Sequence, residues 1–303
     1  MPEPELTAGR VCPPDLKAEA EALAASLPAL VVAAERLAAT VSLGVHGRRK
    51  AGMGESFWQF RRYQSHDAAS AIDWRQSSRS QYLFVREREW EAAAPVWLWR
   101  DNSAGMAFRS RWATTSKRER AGLLLLALAA LLVRGGEKIA LLGEDSEPGQ
   151  GRKVLSRTAF SLARSTAQEL PHPSRLSRHA QLVWFSDFLA SPSEIAAQMT
   201  RHHAAGVMGH LVHLADPAEE DFPYQGRTRF EGISPADSQI IGRAESLRSL
   251  YQARFARHGD EIAALARAHG WTYLRHRTDK PPTLALVALY RHIGGDQPDG
   301  GAG

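Results

Sequence analysis

Val96-Trp97-Leu98-Trp99-Arg100-Asp101-Asn102-Ser103-Ala104-Gly105 decides the fold. Four apolar residues of strand length run straight into a polar loop that opens on an aspartate. Downstream, Ser116 and Glu119 have the spacing of a capping box, and Gly135-Gly136 stands where a helix between them would stop. The strand and helix pattern then repeats. Strands are expected at 138–142, 181–185, 207–214 and 271–274. Helices are expected over 154–170, from the Ser191-Pro192-Ser193-Glu194 cap to Gly206, and over 284–292. Ser234-Pro235-Ala236-Asp237 reads as the start of a further long helix, with a kink at Gly259. Strands that alternate with helices of this length form a mainly parallel sheet with helices on both faces. The fold class is α/β, with the main domain over 95–293.

Upstream, residues 14–40 are rich in alanine and leucine with spaced charges and suggest an amphipathic helix. Aromatic stretches at 57–60 and 82–85 have strand character. Residues 1–94 therefore read as an N-terminal elaboration, and 294–303, GGDQPDGGAG, as a disordered tail.

Composition narrows the classes of function. Cys12 is the single cysteine, so neither an internal disulfide nor a multi-thiolate metal site can form. The start of the chain has no basic-then-apolar leader pattern. The longest apolar run, 121–133, is interrupted only by Gly122 and is shorter than the roughly 20 residues a membrane span needs. A soluble, cytoplasmic protein is expected. Of 38 basic residues only six are lysines, which leaves 32 arginines. Between His46 and Trp90, nine basic residues face five acidic ones, which supplies +4 of the net +5. The signs interleave, as on a salt-bridged surface.

Ligands of open parallel sheets bind at the carboxyl ends of the strands. Those ends carry Asp101, Glu144 with Asp145, Asp187 and Asp216. Asp101 has Ser103 close by and Asp187 has Ser186, and carboxylate with hydroxyl oxygens is the donor set of a hard cation such as magnesium.

Four motifs in order resemble a bacterial family, domain of unknown function 58. They are Gly52-x-Gly54-Glu55-x-Phe57, Ile72-Asp73-Trp74-Arg75, Val85-Arg86-Glu87, and the strand and loop from Trp99 to Met106. Phe185-Ser186-Asp187-Phe188, Asp216-Pro217 and Thr278-Asp279 are also similar, so the resemblance covers about 40–293. It implies a von Willebrand factor A-like fold and action with a MoxR-type AAA+ ATPase in chaperone-like assembly or activation. It also implies a metal-ion adhesion loop, Asp-x-Ser-x-Ser, that holds magnesium with the help of a partner's carboxylate. Asp101 and Ser103 match the first two positions. Gly105 stands at the third, which removes a hydroxyl ligand and leaves room for a water. Any Mg2+ is then bound weakly or only with a partner, through Asp101, Ser103 and Asp187. Ser65-His66-Asp67 also departs from the family, which usually has glycine before Asp67.

The expected function is that of a non-enzymatic binding or scaffold module. The alternative is nucleic-acid binding through the basic, tryptophan-containing segment 46–90, although Trp58 and Trp74 lie in contexts that favour core packing. Asp73, Arg75, Arg86 and Glu87 have a structural reading as a buried polar network, which suits arginine's paired contacts. A metal-dependent hydrolase finds no support. There is no Gly-x-Ser-x-Gly, P-loop or His-Glu-x-x-His motif, and His210 and His213 are spaced to face opposite sides of a strand.

Overall fold

The computed structural model describes residues 29–42, 57–63, 72–80, 82–88, 94–145, 147–172, 174–232 and 238–294. The chain divides into two compact units, one of residues 44–93 and the other formed by the rest.

In the larger unit, α1 (29–42) precedes the sheet body. The elements that follow 94 are β3 (Val96–Arg100), α3 (Lys117–Arg134), β4 (Ile139–Leu141), α4 (Arg152–Arg164), β5 (Gln181–Ser186), α5 (Pro192–Ala204) and β6 (Met208–Ala215). Then come α6 (Pro217–Asp221), β7 (Thr228–Phe230), β8 (Gln239–Ile241), α7 (Arg248–Ala268), β9 (Thr272–Arg277) and α8 (Pro282–Ile293). Five strands form one all-parallel sheet in the order β4-β3-β5-β6-β9. The apolar runs explain the strands, because Val96 to Trp99 and Leu182 to Phe185 are buried on both faces of the sheet.

Side chains alternate across β3 and β5. Trp97, Trp99, Leu182 and Trp184 join Ile195 and Met199 of α5 and Ile262 of α7 in one core cluster. The other face is covered by α3, which packs on α4 and α8. With helices beside it and the sheet beneath, α3 is buried from Leu124 to Leu132. Its capping box forms as expected between Ser116 and Glu119. Ser191 caps α5, with Pro192 in its first turn.

Two expected elements differ: the helix expected over 154–170 ends at Arg164, and another begins later than its signal. The helix assigned to begin at Ser234 begins at Arg248 instead, and the antiparallel pair β7–β8 precedes it. Residues 233–237, which include the Ser234-Pro235-Ala236-Asp237 signal, lie outside the described residues. Gly259 sits within the single helix α7.

The smaller unit pairs β1 (Phe57–Arg62) antiparallel with β2 (Phe84–Arg88), and between them stands the four-residue helix α2 (Trp74–Ser77). Ser77 ties the connection, donating to Asp73 O at 2.8 Å and accepting from Phe84 N at 2.9 Å. Trp74 is 65% exposed, which corrects its expected core placement. Arg75 is also exposed, so it is no member of a buried network. Phe57 lies in β1, and Arg86 and Glu87 lie in β2. Gly52, Gly54, Glu55, Asp67 and the 295–303 tail lie outside the described residues. No helix among the described residues is long and apolar enough to cross a membrane.

Candidate functional site at the carboxyl edge of the sheet

Numbered within the sheet, the strand order is 2-1-3-4-5, and its direction reverses between the first and third strands. The crevice beyond the carboxyl ends of those two strands is where such sheets bind ligands. In this chain they are β3 and β5, so the switch point falls between Asp101 and Ser186-Asp187.

Asp101 is fully buried. Its Oδ2 accepts from Ser186 Oγ at 2.7 Å and its Oδ1 from the Ser103 amide at 2.7 Å. Ser186 Oγ in turn accepts from Phe188 N at 2.9 Å, so its hydroxyl both donates and accepts. The loop itself is fastened from several directions. Asn102 N donates to Gln168 O at 2.8 Å and its Nδ2 to Ser165 O at 2.6 Å, while Arg118 reaches Ser103 O at 3.1 Å.

Asp187 is held differently. Its Oδ2 accepts from Lys117 Nζ at 2.8 Å, and the same ammonium donates to Glu219 Oε1 at 2.5 Å. The Lys117 side chain is 0% exposed. Burial by itself would discharge it, but the carboxylates of Glu219 and Asp187 outweigh that penalty and raise the lysine above its ordinary value. Glu219 also closes a capping box with Asp216, whose Oδ2 accepts from Ser110 N at 2.9 Å and whose Oδ1 accepts from Ala218 N at 2.8 Å. The loops after β3, β5 and β6 are thus joined through the first turn of α3.

Asp101, Ser103, Asp187 and Asp216 come to one edge through these links. Glu144 and Asp145 serve elsewhere: Asp145 accepts from Leu141 N at 2.7 Å and pairs with Arg157 at 2.9 Å, and Glu144 is exposed. Sequence reasoning missed Lys117 and Glu219. A signal for the lysine exists, since a helix's first turn favours acids over cations, and lysine is rare in this arginine-rich chain.

The residues present do not fit a bound magnesium ion. Asp101 has internal donors on both oxygens, and the Asp187 oxygen nearest the loop is taken by an ammonium. A side chain at Gly105 would crowd the same acid, because a Cβ there would stand 3.1 Å from Asp187 Oδ2. Among the described residues, no three His, Cys, Asp or Glu side chains are grouped to hold a metal. His210 and His213 face opposite sides of β6, one bonded to Thr272 and Gln181 and the other to Tyr273.

Burial pushes the Asp101 carboxyl up to about 6, against the hydrogen bond from Ser186 and with help from the charge of Asp187. Between the ordinary carboxylate value of about 3.9 and that value, the folded state binds more protons than the unfolded one. Stability therefore falls as pH rises through this window, by an amount on the order of 3 kcal/mol. Asp101→Asn keeps an acceptor for Ser103 and cannot ionise. Urea unfolding of both proteins from pH 4 to pH 7 should show the variant gaining on the wild type as pH rises; a constant difference would place the titration elsewhere.

A cavity of about 440 Å³ opens beside this cluster, lined by Phe108, Glu219, Phe222, Tyr224, Leu250 and Tyr251 among others. Phe108 faces Lys117 with 5.8 Å from Nζ to its ring centre, and Trp112 meets Tyr224 edge-on at 6.0 Å. Phe108, Trp112 and Leu189 are 40%, 39% and 53% exposed on the loops after β3 and β5.

No curated protein matches the chain. A solved structure described as an aerotolerance-related membrane protein from Bacteroides fragilis, with multiple mutations to serines, is 12% identical, with a TM-score of 0.38. That match covers 67% of this chain and 100% of the other. The conserved hypothetical protein BatB from Bacteroides thetaiotaomicron is 12% identical with a TM-score of 0.36, over 67% of this chain and 98% of its own. The family described as protein of unknown function DUF58 matches residues 59–261, two thirds of the sequence, with the Asp101 loop, Lys117, Asp187 and Glu219 all inside the match. The chain belongs to the DUF58 family.

Proposed function

We propose that this chain is a non-catalytic protein-binding module that docks its partner on the carboxyl edge of the sheet. One observation carries the reading: exposed apolar side chains surround a polar cluster that is already satisfied. Phe108, Trp112 and Leu189 stand on the loops that frame Asp101 and Lys117, and the aromatic cavity adjoins them. Large apolar and aromatic groups around a cavity supply the anchors of protein interfaces. Ser186 and the acids Asp101, Asp187 and Asp216 are all engaged in internal bonds, which supports binding over catalysis.

The partner proposed is a MoxR-type AAA+ ATPase, with which the chain acts in the cytoplasm in chaperone-like assembly or activation. Membership of the DUF58 family supports this choice. Binding of the purified ATPase to the full chain, followed by calorimetry, tests it. Leu189→Asp is expected to weaken binding about tenfold, equivalent to 1.4 kcal/mol, while Arg257→Ala on α7 leaves it unchanged. No binding by the wild type refutes the partner, and equal binding by Leu189→Asp and Phe108→Asp refutes the docking edge.

A further inference from the structure

We propose that Lys117 is the chain's own permanent replacement for a divalent cation, so that the Asp101–Gly105 loop forms a cation site filled by a side chain and closed to free metal ions. The inference concerns the cation alone and stands whether or not the partner proposed above is correct.

Three observations carry it. The first is position. Lys117 Nζ lies 2.8 Å from Asp187 Oδ2, the same oxygen that a Cβ on Gly105 would meet at 3.1 Å. The ammonium therefore binds the acid that faces the loop position where a hydroxyl ligand is missing. Its second acid is Glu219, which the loop after β6 supplies, so the lysine connects two strand ends much as a shared ion would.

The second is enclosure. The side chain is wholly buried, and its backbone is fixed at the first turn of α3 by the Ser116–Glu119 capping box. An incoming ion would have to stand beside a fixed positive charge, and like charges at such distances repel strongly away from water. Asp101 is fully buried and each of its oxygens already accepts a hydrogen bond, from Ser186 and from Ser103.

The third is residue choice. A helix N-terminus disfavours cations, and this chain uses arginine for most of its positive charge. Lysine carries a compact point charge with rotatable donors, which makes it a closer substitute for a small ion than the flat guanidinium. Removing Lys117 would free two acids, Asp187 and Glu219, beside the loop, and carboxylate oxygens are the donors a hard cation takes.

Mn2+ serves as the probe, with free ion measured by electron paramagnetic resonance in solutions of the full chain. The wild type is expected to leave the free Mn2+ signal unchanged at sub-millimolar concentrations, and to melt at the same temperature in EDTA and in Mg2+. Lys117→Ala is expected to bind one Mn2+ at least about tenfold more tightly than the wild type and to melt higher when Mn2+ is present. Stoichiometric Mn2+ binding by the wild type that Asp187→Asn abolishes would overturn the proposal. So would a folded Lys117→Ala with no gain in Mn2+ affinity. If Lys117→Ala folds only in Mn2+, the proposal is supported; if it folds in neither buffer, Lys117→Gln, which keeps the chain length and removes the charge, is read by the same criteria and the wild-type titration decides.

Discussion

Lys117→Met is expected to lower stability by about 3–5 kcal/mol at neutral pH, because it leaves two buried acids without their counter-charge. Asp187 and Glu219 share that one ammonium, and neither is more than 16% exposed at its side chain. For a body of this size, each kcal/mol shifts the melting temperature by about 2–4 °C, so a fall of roughly 10 °C is expected. The loss should shrink in acid, because burial already pushes the Glu219 carboxyl above its ordinary value. The triple variant Lys117→Met, Asp187→Asn, Glu219→Gln separates charge from shape. Replacing a whole buried charge cluster by neutral groups is often nearly neutral for stability, whereas breaking it is costly. The triple variant should therefore melt well above the single one, and equal melting would show that the lysine's packing matters rather than its charge.

Gly209→Ala is expected to do comparable damage by a different route. Gly209 lies in β6 directly against Trp271, and a Cβ there would come within 1.9 Å, 2.0 Å and 2.4 Å of three carbons of the indole. These atoms belong to a rigid ring inside the main core cluster, packed with Ile262 and Ala266 of α7. Interiors packed to crystal density have no slack for an added methyl group, and the cost should reach about 3 kcal/mol or more. A second substitution, Trp271→Leu, removes the clash and should make the alanine far less harmful. A urea midpoint unmoved by Gly209→Ala would mean that the indole can shift at little cost.

The sheet was legible because its strands are continuous apolar runs and its helices carry strong caps. The runs at 96–99 and 182–185 admit few other readings; Ser116 forms the full capping box its spacing implies, whereas Ser191 caps α5 through its side chain without the reciprocal bond from its own backbone to Glu194. The β7–β8 pair was not legible. Each strand has three residues, neither is fully buried, and a helix-start signal lies between them. Trp74 misled because a tryptophan in a strand-like context usually packs inside, whereas here it begins a single short turn.

The candidate site shows the same division. Asp101 and Asp187 could be found because each directly follows a strand, and parallel strands end together. Lys117 could not be paired in advance, since its partners lie 70 and 102 residues away and only the topology brings them together. The absent hydroxyl at Gly105 was visible in the sequence, but the carboxylate that crowds the position comes from another strand end.

The fastening of the Asn102–Ser103 segment to Ser165, Gln168 and Arg118 has a kinetic consequence. A loop already held in place gives up little conformational freedom when a second surface meets it, so association carries a small ordering cost. Encounter should then need no slow rearrangement on this side. Differences among variants of the docking edge should appear mainly as changes in how long the complex lasts.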